Sequence, residues 1–258
     1  MIQTDRDSQV SDSSWKGLYY AGGAAALAAV IIFRRNFGAE LFAFKGFGIF
    51  DVPDPTPVRA SEWFVLLQDD TIVGLALFEV IDLVNYALVG LIFLALYGAL
   101  RETNRSAMVA ATAFGFVGIA VYFASNQAFS MLSLSNSYAA ATTEEQRGLY
   151  LAAGEALLAV NNPGALAQGT GIYLSLLLVI LAGLIISIVM LRSDVFGKAT
   201  AYTGILANVF ALGYFVALAF APAIVWVPPT ISAPFRLIWY VLIAIGLFRL
   251  AATINNPG

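Results

Sequence analysis

Cysteine and histidine are both absent from the 258 residues. Without cysteine the chain has no disulfide, no thiolate nucleophile, and no thiolate ligand for zinc or an iron–sulfur cluster. Without histidine it has no imidazole haem or metal ligand, no Ser-His catalysis and no imidazole proton relay. Charge is scarce too: Asp, Glu, Lys and Arg make up 11% of the chain, against roughly 25% in soluble domains. The net charge of −3 and the lack of a basic cluster argue against nucleic acid as a partner and against strong recruitment of anionic lipid. No Gly-Lys-Ser/Thr follows any glycine pair, so nucleotide loops are missing.

What the chain has in quantity is apolar residue, 60% of the total, with a mean hydropathy of +0.83. A helix rises about 1.5 Å per residue and the hydrocarbon core is about 30 Å thick, so spans appear as runs of about 17 to 25 apolar residues. Six such runs lie near Leu18 to Phe33, Ile72 to Leu100, Ala107 to Leu134, Ile172 to Leu191, Thr200 to Ala221 and Ile231 to Leu250. Strands of a membrane barrel would alternate over about ten residues, and no such pattern is present. The fold class is therefore an all-α integral membrane protein of six transmembrane helices, with the lipid bilayer as its first partner. Residues 1–17 read as a flexible polar tail and 18–254 as a single membrane domain, with outer segments at 34–71 and 135–170. The first run has the length of a signal-peptide core, but Arg34 and Arg35 follow it in place of a small-residue cleavage site, so it reads as an uncleaved helix.

Lys and Arg near the span ends set the orientation. With the N-terminus inside, Arg6, Lys16, Arg101, Arg105, Arg192, Lys198 and Arg249 are cytoplasmic, and Arg34, Arg35, Lys45, Arg59 and Arg147 lie outside. The two short basic turns, LRETNRSA and LRSDVFGKA, both fall inside, which places both termini in the cytoplasm. The likeness of these turns is open to two readings: a parallel repeat of two hairpins, or the common selection of such residues by any short cytoplasmic turn.

Two outer segments stand out. The first, NFGAELFAFKGFGIFDVPDPTPVRASEWFVLLQDD, is rich in aromatics and broken by Pro53, Pro55 and Pro57, and it places Trp63 at headgroup depth. The second, TTEEQRGLYLAAGEALLAVNNPG, predicts a short amphipathic extracytoplasmic helix. Thr142 with Glu145 forms its capping box, and Leu149, Ala152, Ala153, Ala156, Leu157 and Val160 form its apolar face. With Glu145, Arg147 and Glu155 on it, this helix is either a lid or an interfacial anchor. The EEQR at its start resembles the glutamate pair of intramembrane prenyl-type proteases, but that chemistry requires histidine ligands the chain lacks.

Within the second run, LALFEVIDLVNYALVGL carries Glu79, Asp82 and Asn85. Glu79, Asp82 and Tyr86 fall at i, i+3 and i+7, on one helical face. Asp82 lies about one turn deeper than Glu79, and an unpaired charge at membrane depth costs about 2.5 kcal/mol or more. Arg236 is the cation at a similar level. The expected polar cluster is Glu79, Asp82, Asn126, Gln127 and Arg236, with Asn208 nearer mid-membrane. It serves to fix helix register, to carry a solute or proton, or to hold a lipid headgroup.

The stretches IDLVNYALVGLIFLALYGALRETNRSAMVAA, SLSNSYAAATTEEQRGLYLAAGEALLA and LRSDVFGKATAYTGILANVFALGYFV resemble a family of multi-pass bacterial membrane proteins catalogued only as a domain of unknown function. The resemblance covers roughly Leu75 to Val216 and implies a compact six-helix domain in a bacterial plasma membrane, with Asp82 in the family's aspartate position. It implies no activity, and the long Phe- and Pro-rich segment before the second run departs from it. Two functions follow. One is a non-catalytic accessory membrane protein, acting through other membrane proteins or a homo-oligomer, without cofactor or metal. The other is a small transporter or channel-like protein that binds a cation or proton at Glu79 and Asp82.

Overall fold

The computed structural model describes residues 2–36, 56–165 and 169–254, with side chains in the first helix from Trp15 to Ile32. Among these residues the secondary structure is entirely helical. The order is α1 (Ile2–Asn36), α2 (Ala60–Asp69), α3 (Thr71–Leu77), α4 (Val80–Leu100), α5 (Arg105–Ser125), α6 (Ala128–Ala140), α7 (Glu144–Leu158), α8 (Thr170–Met190), α9 (Lys198–Phe220) and α10 (Val227–Thr253), with a 3-10 turn at Pro222–Ile224. Six helices are long and apolar enough to cross a membrane: α1, α4, α5, α8, α9 and α10. The helix backbone begins at Ile2, inside the segment read as a polar tail. Pro53 and Pro55 of the expected proline turn lie outside the described residues.

The chain gathers into two compact units, one made of Met1–Phe37, Asn85–Ile119 and Leu177–Gly258, the other of Gly38–Val84 and Ala120–Leu176. In the first, α10 packs along both α1 and α9. Small residues permit the close approach that helices need in lipid, where no hydrophobic driving force separates them from their solvent. A Cβ on Gly22 would strike Ala95, one on Gly98 would strike Trp15, and one on Gly204 would strike Ser187 and the Trp239 indole. Around these contacts lies a core that includes Ile92, Leu96, Leu100, Met108, Ile186, Ile243 and Leu247.

The two basic turns of this unit close differently. Asn104 caps α5 by accepting from the Ala107 N–H at 3.1 Å, whereas Gly197 precedes α9 with no side-chain cap and Lys198 Nζ donates to the Leu191 carbonyl. Arg101 rests over the Trp15 ring at 4.5 Å, and its Nε is 3.1 Å from Glu102 without hydrogen-bond geometry.

The second unit is built on Trp63, Phe64, Leu67, Phe78, Met131 and Leu158. Trp63 is fully buried, with its ring edge-on to Phe78 at 4.7 Å, so it is a core residue and not the lipid-facing interfacial anchor expected of it. Asp70 separates α2 from α3, its side chain accepting from Ile72 N and Val73 N at 3.0 Å each.

Two expected spans are discontinuous. The run Ile72 to Leu100 divides at Phe78 and Glu79, and the run beginning at Ala107 stops at Ser125 and resumes at Ala128. At 21 residues each, α4 and α5 are about 31 Å long, enough to cross a bilayer on their own. The breaks therefore fall at the ends of full-length helices.

A helix, α7, follows Ala141, and it differs from the expected one in two respects. Its N-cap is Thr143, not Thr142: the Thr143 hydroxyl accepts from Gln146 N at 3.2 Å, and the Gln146 side chain accepts from Thr142 N. Its packed face is Tyr150, Leu151, Gly154, Leu157 and Leu158, whereas Leu149, Ala152, Ala156 and Val160, four of the six residues assigned to the apolar face, are exposed.

Candidate functional site

Among the described residues Glu79 is the one non-glycine residue with positive φ, at 64°. A side chain in this left-handed region meets the following carbonyl, at a cost of about 1 to 2 kcal/mol, so neighbouring contacts must hold it there. The α5–α6 break supplies them. Asn126 Nδ2 donates to the Glu79 carbonyl at 3.2 Å, and the Asn126 Oδ1 accepts from Ala128 N at 3.1 Å, so one amide joins the two breaks and caps α6. The Tyr122 hydroxyl donates to Glu79 Oε2 at 3.2 Å from a ring that is 3% exposed. The Glu79 carbonyl also accepts from Asp82 N at 3.2 Å, in the first turn of α4.

This geometry revises the expected helical face. Glu79 precedes α4 in a non-helical conformation and so does not share a stripe with Asp82 and Tyr86. Asp82 instead lies in the first turn of α4, where free backbone N–H groups and the helix dipole favour a carboxylate. Both acids are half-buried.

On α8, Gly171 lies so close to Ser125 that a Cβ there would strike the Ser125 hydroxyl. One turn on, Ser175 is fully buried and its hydroxyl has no hydrogen-bond partner among the described residues. Glu79, Tyr122, Ser125, Asn126 and Ser175 thus give the second unit a group of oxygen-bearing side chains around and one turn beyond the paired breaks. Among the described residues no three acidic side chains converge into a metal-holding group. The available chemistry is that of one or two carboxylates with hydroxyl and amide oxygens, which suits a proton or a weakly held cation better than a tightly coordinated divalent metal.

The other expected site residues are distributed elsewhere. Gln127 precedes α6 as its N-cap residue without a side-chain cap, and its carbonyl accepts from Met131 N at 2.8 Å. Asn85, Asn208 and Arg236 belong to the first unit. Asn85 Oδ1 is buried without a partner. Asn208 is fully buried, donates from Nδ2 to the Gly204 carbonyl at 2.8 Å, and leaves its Oδ1 unpartnered against Gly183. Arg236 is half-buried in α10.

On α7, Glu145 is exposed and Arg147 pairs with Glu144 at 2.9 Å. Glu155 accepts from Ala60 N at 2.9 Å, holding the start of α2. Glu62 closes the same end by accepting from Val58 N at 2.9 Å and Arg59 N at 3.1 Å. Those two N–H groups, Val58 foremost, with the Arg59 charge, hold the Glu62 carboxyl below the usual range.

Tyr122, Ser125 and Ser175 were not among the residues expected in the site. A tyrosine near a span end reads as an interfacial aromatic, and a single serine in an apolar helix carries no signal until its neighbours are known. No family model, curated protein or solved structure matches the chain.

Proposed function

We propose that this is a non-catalytic, multi-pass membrane protein that binds a small cation or a proton at Glu79 and Asp82, in the manner of a small transporter or channel-like protein. The observation that carries this reading is the pair of facing helix breaks: strained Glu79, held by Asn126 and Tyr122. Where a helix stops, its last carbonyls and nearby side-chain oxygens are free for ion binding, and strain that neighbouring contacts maintain marks sites where a conformation is held for use. The reading places the breaks on the extracytoplasmic side, both termini in the cytoplasm, and the chain in a bacterial plasma membrane.

A second reading, an accessory component that binds other membrane proteins, is favoured by α7. Leu149, at 66% exposure, and Val160, at 41%, leave an apolar stripe open beside the helix's charged residues. As an amphipathic extracytoplasmic helix it would lie at the membrane surface or against a partner.

The test is difference infrared spectroscopy of the protein in lipid nanodiscs, with sodium or potassium added and pH varied, comparing wild type with Glu79→Gln and Asp82→Asn. A carboxyl band that responds to the cation or to pH, and is lost in folded Glu79→Gln or Asp82→Asn, is the expected result. Carboxyl bands indifferent to every cation and to pH, with Asp82→Asn simply lowering the melting temperature, would leave the accessory reading in its place.

A further inference from the structure

The first unit has a cavity of about 170 Å³. Thr103, Asn104 and Ala107 line it from the start of α5, and Ile185, Ile188 and Arg192 from the end of α8. Its lining is graded along the helix axis. Ile185 and Ile188 sit in the last turns of a 21-residue apolar helix that ends at Met190, while Arg192, Thr103 and Asn104 belong to the turns just beyond the helix ends. Because such a helix matches the hydrocarbon thickness, the apolar wall lies at acyl-chain depth and the polar rim at headgroup depth.

The rim has an uncommitted cation. Arg147 is paired with Glu144, Arg101 is stacked on Trp15 beside Glu102, and Lys198 donates to the Leu191 carbonyl. Arg192 is exposed and, among the described residues, has no ion pair or hydrogen bond from its side chain, although the carboxylate of Asp194 lies two residues away in sequence. A guanidinium carries a planar fork of five donors that matches phosphate geometry. Below it, Ile188 is 49% exposed, an apolar side chain with open surface at the depth of a lipid tail.

We propose that this cavity seats an anionic phospholipid, with its phosphate on Arg192 beside Thr103 and an acyl chain along Ile185 and Ile188. A free phosphate would use the rim and leave the apolar wall unfilled. A neutral lipid would fill the wall and, with its own ammonium near the phosphate, gain less from the arginine. An anionic lipid satisfies both halves of the site, and basic pockets between membrane helices are recognised positions for such headgroups.

The test is native mass spectrometry of the full chain, equilibrated in detergent with equal amounts of phosphatidylglycerol and phosphatidylcholine. The wild type should retain phosphatidylglycerol in preference by about fivefold, the worth of one basic contact near a membrane surface. Arg192→Gln should bring the two lipids near parity. Ile188→Trp, which fills the wall and keeps the charge, should reduce retention of phosphatidylglycerol, and Arg147→Gln, in the other unit, should leave the preference unchanged.

Equal retention of the two lipids by the wild type overturns the proposal without any variant. So does a preference that survives Arg192→Gln in folded protein. If inorganic phosphate strips the bound phosphatidylglycerol and Ile188→Trp has no effect, the site is one for a free anion and the lipid assignment falls.

Discussion

Asn126 is asked to do two things with one amide, and that makes it the most informative single position. Its Nδ2 holds the Glu79 carbonyl and its Oδ1 satisfies the first turn of α6. Asn126→Ala leaves a part-buried carbonyl with one partner fewer and the helix end uncapped, a loss of about 1 to 3 kcal/mol. The melting temperature in nanodiscs should fall by several degrees. Asn126→Asp keeps the acceptor for Ala128 and loses the donor, so it should fall between. Glu79→Gly relieves the left-handed backbone but gives up the Tyr122 contact, and should cost less in the Asn126→Ala background than in the wild type. Wild-type stability in Asn126→Ala would mean that the break is held by other contacts. At this scale the sequence shows which polar residues lie in apolar runs, and it locates Glu79, Asp82 and Asn126. It does not show the φ of Glu79, because neither Phe78 nor its neighbours is a glycine or proline that would announce a break. The positive φ comes from contacts with residues more than forty positions away.

α2 is held at its N-terminus by two carboxylates of different origin. Glu62 closes the turn locally, while Glu155 reaches from α7 to Ala60 N. Because the folded-state pKa of Glu62 is lowered, its contribution is fully present above the ordinary carboxylate range and is lost as pH falls through the folded value. Amide hydrogen exchange at Val58 and Arg59 should accelerate relative to other helix starts as the medium becomes acidic, and Glu62→Gln should abolish that acid-specific difference. Glu155→Ala, by contrast, should expose Ala60 at every pH, with protection reduced about fivefold for the loss of a bond worth about 1 kcal/mol. If Glu62→Gln leaves the acid response intact, the local cap is not its source. α7 also shows why a helix can be legible and its face not. Tyr150, Leu151, Gly154 and Leu158 are as apolar as the exposed stripe of Leu149, Ala152, Ala156 and Val160, so periodicity alone offers two faces. The groove left by Gly154 against Ala60 and Phe64 decides between them.

Across the whole molecule the six spans were readable because length and hydropathy are properties of each segment alone, set by the thickness of the bilayer. The second unit was not readable, because Trp63, Phe78, Met131 and Leu158 come from separate segments and are apolar enough to pass for interface anchors or span residues. Orientation is the remaining property of the whole chain, and the absence of cysteine makes it directly measurable. Seven basic residues on the side of both termini against five on the other is a small bias, so it needs a measurement that reads sidedness itself. Single cysteines at exposed positions on either end of the α4–α5 hairpin supply it. Asn104→Cys would lose a cap, so Glu102→Cys, exposed in the same turn, is the better reporter, and Leu149→Cys reports from α7. In intact cells a membrane-impermeant maleimide should label Leu149→Cys and reach Glu102→Cys and Asp194→Cys only after permeabilisation. Labelling of the Glu102 and Asp194 positions without permeabilisation would invert the topology. The Glu79 site would then open to the cytoplasm and the Arg192 cavity would face the outer leaflet, where its anionic ligand would have to be found. Labelling of Glu102→Cys and Asp194→Cys from opposite sides would be more damaging, since two turns separated by an even number of spans must share a side, and the six-span count itself would have to be abandoned.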